Sequence, residues 1–359
     1  MEEVVLTPEL KSKIKFEVQT ILTEVHRHPD KQIPHDSTGR LNFSCPYCHD
    51  STSDPRKKRG NLYWSNLYYH CYNDGCGVHK SILNFFKDFK IGISEDDFFN
   101  ILSFIRLNKS EYRAISDLNI QSFKRLNDIS ISKTEFMEKM KIYPINKDTW
   151  MIYDYLKGRF LHLMLDNFAF NPRTKQLYIF NYNFSRDKIL GYQIRNMITN
   201  EKYSNAKYLT FTIDKAHKKL TGNDVEIDEE LVKLSSVFNI MNIDYANEFT
   251  IFEGPIDSFF MRNSIALTGL SKMPFNFDEF ENVRYFYDND PGGKKKAIEK
   301  LNLGKKIFLW EKFLKDNKLN TYDIKDLNDI IIKSYKYNKD ALKRINDYFS
   351  NDSYDMVNV

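Results

Sequence analysis

The sequence predicts a mixed protein, α+β and α/β, in which a small cysteine-bearing ribbon precedes a larger domain built around a parallel sheet. Two observations support this prediction. All four cysteines of the 359-residue chain lie between positions 45 and 76, and strand-like and helix-like segments alternate beyond position 247. The hydrophobic share of 42% is sufficient for packed cores and argues against a disordered chain.

The overall charge says little about partners. A net charge of +4 is small for this length, so basic residues must be clustered if they are to bind a polyanion. The chain has no apolar run long enough to span a membrane. Its first residues, MEEVVLTPEL, lack the basic segment followed by an apolar segment that a signal peptide has. We therefore expect a cytoplasmic protein with no membrane partner, in which clustered cysteines indicate a metal more than a disulfide.

The pattern along the chain predicts five successive segments. They are an N-terminal helix and cysteine-bearing domain over 1–107, a linker over 108–135, a mixed subdomain over 136–246, an α/β subdomain over 247–335, and a helical tail over 336–359. The linker is predicted because residues 108–135 are polar and weakly periodic. The first helix is predicted because Thr7-Pro8-Glu9 combines a cap, a first-turn proline and an acidic residue.

The cysteines form two closely spaced pairs, Cys45-x2-Cys48 and Cys71-x4-Cys76. Each pair can present two thiolates from one turn, and two such turns complete a tetrahedral shell. Four protein ligands are typical of a structural zinc ion. The second gap is wider than the usual two residues, so the fourth ligand stays open, with His49, His70 and His79 as nearby alternatives.

A basic loop lies between the two cysteine pairs. Arg56-Lys57-Lys58-Arg59 is followed by the aromatic segment NLYWSNLYY. Cations that follow phosphates and rings that stack on bases are what single-stranded nucleic acid requires, so Lys58 and Arg59 are candidate template contacts. The alternative is a solvated turn followed by aromatic residues of the core.

Three acidic motifs follow one another in the α/β region. Glu253 ends the strand-like segment FTIFEG, Asp288 and Asp290 follow the strand-like VRYFY, and Asp326 opens the helical segment of KDLNDII. Carboxylates at the carboxyl ends of parallel strands meet at the edge of the sheet where ligands bind. The alternative is that these residues are helix caps and turn residues.

Converging carboxylates with no histidine or cysteine among them suit a hard cation such as Mg²⁺ or Mn²⁺. Such an ion is bound through one or two carboxylates together with substrate phosphates. The residues therefore predict phosphoryl or nucleotidyl transfer. Asp329, three positions after Asp326, is expected to be a neighbour of the site and not a ligand.

The order E-G, D-x-D and D resembles the TOPRIM fold of DnaG-type primases. DNDPGGKKKAIEKL is similar to the second acidic stretch of those enzymes, and SIALTGLS to the strand and turn that follow their glutamate helix. More narrowly, FSCPYCHDS, HCYNDGCGVH, EGPIDSFF and KDLNDII resemble the stand-alone primases of large lytic tailed phages. The Cys71-x4-Cys76 spacing departs from their usual two-residue gap.

This resemblance implies a zinc ribbon joined to a primase catalytic domain that synthesises short RNA primers from NTPs on single-stranded DNA. Magnesium would be held by Asp288, Asp290 and Asp326, and Glu253 would accept the hydroxyl proton or orient its water. LGYQIRN and KYLT are similar to the primase basic motif, so Arg195 and Lys207 would hold phosphates or template. A replicative helicase partner is implied by the family alone.

A non-catalytic recombination mediator of the RecR kind is the alternative, since it also joins four cysteines to a TOPRIM fold. It lacks a large basic module between the two parts, whereas here 176 residues lie between Cys76 and Glu253. A topoisomerase would need a large gate domain, and a TOPRIM nuclease would leave the ribbon unexplained. Arg195 could also be an ordinary edge-strand residue.

Overall fold

The computed structural model describes residues 6–50, 54, 56–73, 75–107, 120–198, 206–245, 247–268 and 276–359. The chain divides into two compact units, Met1–Ile120 and Gln121–Val359. In the described residues, no helix has both the length and the apolar character that a membrane span requires.

The N-terminal unit begins with the predicted helix, α1 (Pro8–Val25). The Oγ1 atom of Thr7 accepts a hydrogen bond of 3.2 Å from the backbone N of Leu10, as expected of an N-cap. One face of α1 is buried, at positions three or four apart. The described residues of this unit also form the helices α2 (Pro29–Gln32), α3 (Ile82–Asp88) and α4 (Glu95–Leu107).

An antiparallel sheet of five strands forms the centre of this unit, and its strands lie in chain order. The strands are β1 (His35–Ser37), β2 (Arg40–Phe43), β3 (Gly60–Tyr63), β4 (Tyr68–Cys71) and β5 (His79–Ser81). The rings of Phe43 and Tyr69 stack at 5.3 Å, and Phe85 of α3 lies 4.8 Å from Tyr69. A Cβ at Gly60 would meet Tyr69 and Phe43 within 3 Å, so only glycine fits there.

The predicted linker is wrong over its second half. Residues 108–119 lie outside the described part of the chain, but α5 (Ile120–Asp128) buries Phe123 and Leu126. Its polar face is used as well, since Ser122 Oγ donates to Glu230 Oε1 at 2.6 Å. The nine residues of this helix are amphipathic, but polar residues surround them on both sides in the sequence, which is why the segment resembled a connector.

The C-terminal unit contains two sheets. In the first, all strand pairs are antiparallel, the path is β11-β10-β9-β8-β7, and β6 pairs with β10. The strands are β6 (Ile131–Ser132), β7 (Tyr143–Pro144), β8 (Phe168–Asn171), β9 (Gln176–Tyr182), β10 (Lys188–Asn196) and β11 (Tyr208–Phe211). The helices in this region are α6 (Lys133–Met140), α7 (Trp150–Gly158), α8 (Ile213–Thr221) and α9 (Glu229–Ser235).

The second sheet has the order β12-β14-β13-β15-β16-β17, with four parallel strands at its centre and antiparallel pairs at both edges. The strands are β12 (Val237–Phe238), β13 (Phe249–Phe252), β14 (Ser264–Leu267), β15 (Val283–Phe286), β16 (Lys306–Phe308) and β17 (Phe349–Ser350). The helices are α10 (Pro255–Ser258), α11 (Pro291–Asn302), α12 (Trp310–Asp316), α13 (Leu327–Tyr337) and α14 (Asp340–Lys343).

The parallel centre confirms the predicted fold class, since its strands alternate with helices as the sequence indicated. The segment predicted as a helical tail contributes more than helix, because β17 adds a strand to the sheet edge. Phe252, Phe286 and Phe308, from three neighbouring parallel strands, are buried in one core with residues of α7 and α13. That core fixes where the strands end, and the acidic residues follow those ends.

Candidate functional site

The four cysteines of the N-terminal unit converge. Their Sγ atoms all lie within 4.8 Å of one another. The Cys45–Cys76 and Cys48–Cys71 sulfur distances are both 3.8 Å. A tetrahedral zinc ion with Zn–S bonds of about 2.3 Å places its sulfurs about 3.8 Å apart. The cluster therefore fits one structural zinc ion, as the sequence predicted.

Hydrogen bonds around the cluster hold the cysteine turns in place. The backbone N of Cys45 donates to Asp50 Oδ2 at 2.9 Å, and Asn73 Nδ2 lies 3.4 Å from Cys48 Sγ. Contacts of this kind orient metal ligands. The structure favours the four cysteines over the histidines: His70 and His79 face each other across β4 and β5, outside the sulfur cluster.

The basic loop is only partly free. Lys58 Nζ donates to the carbonyl of Ile33 at 2.7 Å, and Arg59 donates to the side chain of Asn73. Both candidate template contacts thus have protein partners, while Arg56 and Lys57 are exposed. The sequence pointed to Lys58 and Arg59, which are the two less exposed residues of the loop. Four consecutive basic residues look alike in the sequence, so the sequence does not indicate which of them are exposed.

The aromatic segment beside the loop belongs mostly to the core. Leu62, Trp64, Tyr68 and Tyr69 are buried, so the alternative of core aromatics is right for most of the segment. Tyr72, which follows it, is 56% exposed and remains available for stacking.

The acidic site of the C-terminal unit lies at the carboxyl ends of two neighbouring parallel strands. β13 and β15 pair in register up to Phe252 and Phe286. Glu253 directly follows the first strand and Asp288 lies two residues beyond the second. The parallel arrangement therefore brings these two carboxylates to the same edge of the sheet, as predicted.

Asn289 attaches the third acidic motif to this edge. Its backbone N donates to the carbonyl of Lys325 at 2.7 Å, and its Nδ2 donates to the carbonyl of Ile324 at 2.9 Å. The loop that carries Asp326 is thereby held against the loop that carries Asp288. The three motifs, separate in sequence, form one site.

Asp290 and Asp326 are also helix caps. Asp290 Oδ1 accepts from the N of Gly293 at 2.7 Å, and Asp326 Oδ1 accepts from the N of Asp329 at 2.7 Å. The capping alternative is thus correct for both residues, but each cap uses only one carboxylate oxygen, and the second oxygen could still bind a cation. A Cβ at Gly293 would lie 2.0 Å from the carbonyl oxygen of Asp288, so a glycine is required where α11 meets the acidic loop.

The carboxylates repel one another. Burial, followed by the charges of Glu253, Asp326 and Asp290, raises the pKa of Asp288 to about 7. Burial and the charge of Asp329 raise the pKa of Asp326, against the lowering effects of the Asp329 backbone hydrogen bond and of Arg159. A site that penalises its own negative charge in this way is suited to a bound cation.

Asp257 is a fifth carboxylate of this site, which sequence reasoning did not single out. It is buried in α10, and burial followed by the charge of Asp326 raises its pKa well above the usual value. Its Oδ1 accepts from the N of Asn328 at 2.9 Å. Its position four residues after Glu253, on the first turn after a strand, is the signal that could have identified it.

The side opposite the carboxylates is basic and aromatic. The guanidinium of Arg195 lies 5.1 Å from the ring centres of both Tyr155 and Tyr208, and it donates to the hydroxyl of Tyr208. Burial, followed by the charges of Arg195 and Arg159, lowers the pKa of Lys207, while Asp326 raises it. The structure therefore brings Arg195 and Lys207 to the acidic site.

Arg159 belongs to the same basic side and was missed. Its Nη1 donates to Asn328 Oδ1 at 2.8 Å, and Asn328 Nδ2 donates back to the Arg159 carbonyl at 2.8 Å. Asn328 also binds Asp257, so this asparagine joins the basic and acidic sides.

The carboxylates of the acidic site suit a hard cation, although they do not form a complete ligand shell by themselves. Among the described residues, the cysteines are the one group whose ligand atoms already surround a single point. Mg²⁺ is usually held by one or two carboxylates, several waters and the substrate phosphates, so a preformed cage is not required. The free oxygens of Asp288, Asp290 and Asp326 are suitable donors.

A four-cysteine cluster followed by an acidic sheet edge with arginines beside it is the arrangement expected of a nucleotidyltransferase of the primase class. No family model matches the chain. The chain is 26% identical over 327 residues to the DNA primase of Enterobacteria phage T4, and the match covers 84% of each protein. The resemblance to phage primases is confirmed, and the RecR-like alternative has no support among the comparisons.

A solved structure with primase zinc-binding and RNA polymerase domains, from Aquifex aeolicus, also matches. It covers 96% of this chain and 86% of its own, at 14% identity. The TM-score is 0.32, so this overlay supplies no argument about the fold or the site.

Proposed function

We propose that this protein is a DNA primase that copies single-stranded DNA into short RNA primers. The observation that supports this most is the pair of opposed surfaces in the C-terminal unit. Asp288 and Asp326 have raised pKa values on one side, and Arg195 and Lys207 lie on the other. A nucleoside triphosphate needs a cation at its phosphates and fixed positive groups around them.

In the proposed reaction, the 3′-hydroxyl of one nucleotide attacks the α-phosphorus of the next. A new P–O bond forms, the bond to the β-phosphate oxygen breaks, and pyrophosphate leaves. Mg²⁺ or Mn²⁺ held by Asp288, Asp290 and Asp326 would neutralise the triphosphate and make the hydroxyl more acidic. Glu253 would accept the hydroxyl proton directly or through a water.

The basic side would position substrate. Arg195 is held by Tyr155 and Tyr208, so its planar, always charged guanidinium is oriented before a phosphate arrives. Lys207 and Arg159 extend that surface toward Asp326. Template contact by the zinc ribbon would use exposed Arg56, Lys57 and Tyr72, with Lys58 and Arg59 supporting the loop.

The segments predicted from the sequence receive functional names in this proposal. The zinc-binding domain spans 1–107, the first catalytic subdomain spans 136–246, and the TOPRIM subdomain spans 247–335. A protein of this kind would act at a replication fork in the cytoplasm of a host cell. It would receive single strands from a replicative helicase, since the sequence contains no P-loop ATPase motif.

A primer-synthesis assay tests the proposal. Wild-type protein is incubated with single-stranded DNA, labelled NTPs and Mg²⁺, and short RNA products are resolved on a gel. Asp288→Asn protein is the matched sample, because it keeps the shape of the side chain and removes its charge. RNA made by the wild type and lost in Asp288→Asn supports a primase. DNA binding without any NTP-dependent product in the wild type would instead favour a mediator.

A further inference from the structure

A second basic and aromatic surface lies at the C-terminal end of α13. The lysine–tyrosine patch consists of Tyr322, Lys333, Tyr335, Lys336, Tyr337 and Lys339. Tyr335 and Tyr337 are 51% and 45% exposed, and Lys336 and Lys339 are exposed as well. None of the assignments made above for substrate or metal uses these residues.

The rings of the patch are already held in place, on two sides of α13. Tyr322 and Tyr337 lie face to face, with ring centres 4.2 Å apart and planes 19° from parallel. Tyr335 packs against Phe160 at 4.8 Å, which fixes its ring while half of the side chain stays exposed. Fixed, exposed aromatic rings are suited to stacking with unpaired bases.

The three lysines lie beside those rings. The Nζ atoms of Lys333, Lys336 and Lys339 are 5.5, 5.0 and 4.3 Å from the ring centres of Tyr322, Tyr337 and Tyr335, respectively. Within the described part of the chain, none of the three forms an ion pair. The neighbouring carboxylate of Asp340 is bound to Lys343 at 2.8 Å. Among the described residues the three positive charges therefore have no carboxylate partner, although Lys336 is hydrogen-bonded to Tyr337.

The patch lies near the acidic site along α13. Asp326 caps the N-terminus of α13, and Tyr335 lies nine residues further along, about 14 Å at 1.5 Å per residue. Phe160, which supports Tyr335, directly follows Arg159 of the basic side. A strand that leaves the site along α13 would reach the patch within a few nucleotides.

We infer that the lysine–tyrosine patch binds single-stranded DNA, as a track for the template strand next to the acidic site. Phosphates would meet the three lysines and bases would stack on Tyr335 and Tyr337. The role of the bound strand as template rests on the proposed function. The binding of single-stranded DNA does not.

The test compares two charge-matched variants of the full chain. The patch variant carries Lys333→Gln, Lys336→Gln and Lys339→Gln. The control carries Lys139→Gln, Lys147→Gln and Lys219→Gln, which removes three exposed charges elsewhere in the same unit. Affinity for a labelled 30-nucleotide oligo(dT) is measured by fluorescence anisotropy over a series of salt concentrations.

We expect the patch variant to bind at least tenfold more weakly than the control at low salt. Its plot of log affinity against log salt should be less steep by about 2, since each phosphate contact on a single strand contributes about 0.7. Equal affinities and equal slopes in the two variants would overturn the inference. Weaker binding of an RNA oligomer with unchanged DNA binding would overturn the assignment to DNA.

The tyrosines provide an independent readout. Tyr335→Leu with Tyr337→Leu keeps apolar volume but removes the aromatic faces, and Tyr354→Leu, at a residue 89% exposed, is the control. We expect the double variant to lose roughly 5- to 100-fold in affinity with its salt slope unchanged. Affinity equal to that of the Tyr354 control would exclude stacking here. If the wild type made no RNA, the proposed function would fail while these binding results still decided the patch.

Discussion

Lys296 of α11 pairs with Glu253, and its Nζ lies 2.6 Å from the carboxylate Oε2. The other carboxylate oxygen, Oε1, is buried and has no hydrogen-bond partner among the described residues. Lys296 also lowers the pKa of Asp288 against the raising effects of burial and of the other carboxylates. One lysine thus orients the candidate proton acceptor and offsets the repulsion at the candidate metal ligand.

We expect Lys296→Met to reduce RNA synthesis roughly 10- to 100-fold, because a displaced Glu253 no longer meets the hydroxyl. Without Lys296 the pKa of Asp288 rises further, so the acidic limb of the pH–rate profile should move to higher pH. Lys296→Arg should restore part of the activity. Lys294→Met is the matched control, because Lys294 pairs with Glu311 on the same helix. An unmoved acidic limb in Lys296→Met would contradict this role.

Zinc removal should affect the N-terminal unit alone. Cys45→Ser or Cys71→Ser should lose the ion and unfold the ribbon, because structural zinc supplies much of the folding free energy of such modules. Metal analysis of purified protein should give one zinc per wild-type chain. His79→Ala, the control, should keep it. Full zinc content in both cysteine variants would disprove the ligand assignment. The thermal unfolding of the C-terminal unit should be the same in the wild type and in all three variants.

The raised pKa of Asp288 makes a prediction about stability. A carboxyl with a folded-state pKa of about 7 holds a proton that the unfolded chain has released. Its contribution to stability is therefore present below the unfolded pKa and is lost as the pH rises through 7. Without added magnesium, the Tm of the C-terminal unit should fall between about pH 4 and pH 7 and level off above that, and Asp288→Asn should flatten the fall.

Magnesium should reverse this loss in the wild type. Added Mg²⁺ at pH 8 should raise the Tm, because a ligand that binds only the folded state stabilises it. The rise should be smaller in Asp288→Asn. Asp154→Asn, at an exposed position in α7, is the control and should behave like the wild type. Equal Tm shifts in all three proteins would argue against a cation at Asp288.

Arg195 should act in substrate use and not in folding of the zinc ribbon. Arg195→Ala should weaken NTP or template use by at least tenfold, and Arg195→Lys should restore only part, since a point charge does not reproduce bidentate phosphate contact. Steady-state kinetics with varied NTP would show the effect, with zinc content as the control. Primer synthesis at the wild-type rate in Arg195→Ala would mean that this arginine is an ordinary strand residue.

The sequence predicted the parts of the site that reside in local motifs. Paired cysteines and carboxylates at strand ends are visible because each motif lies within a few residues. The contact between Arg159 and Asn328 joins positions 169 apart, and no pattern in one sequence indicates such a contact. The sequence also did not indicate that Arg56 is exposed while Arg59 is bonded to Asn73, because this depends on which side of the loop packs against the ribbon. Short elements such as β17 had no detectable periodicity.

The final prediction separates catalysis from binding by means of the acidic residues themselves. Asp288→Asn, Asp290→Asn and Asp326→Asn should each reduce RNA synthesis by orders of magnitude, because each removes a charge that would hold the cation. Asparagine is as good a helix cap as aspartate, so the caps at Asp290 and Asp326 should survive. Asp329→Asn should be milder, since Asp329 Oδ2 accepts from the backbone N of Lys325 at 3.1 Å.

Binding of single-stranded DNA, measured on the same samples, should change little or tighten slightly, because a negative charge near the phosphates has been removed. Asp326→Ala adds a further comparison: it also removes the cap, at a cost of about 1 kcal/mol, so its Tm should fall below that of Asp326→Asn. Parallel loss of synthesis, binding and Tm in the asparagine variants would indicate misfolding. Intact synthesis in Asp288→Asn would refute metal-dependent nucleotidyl transfer at this site.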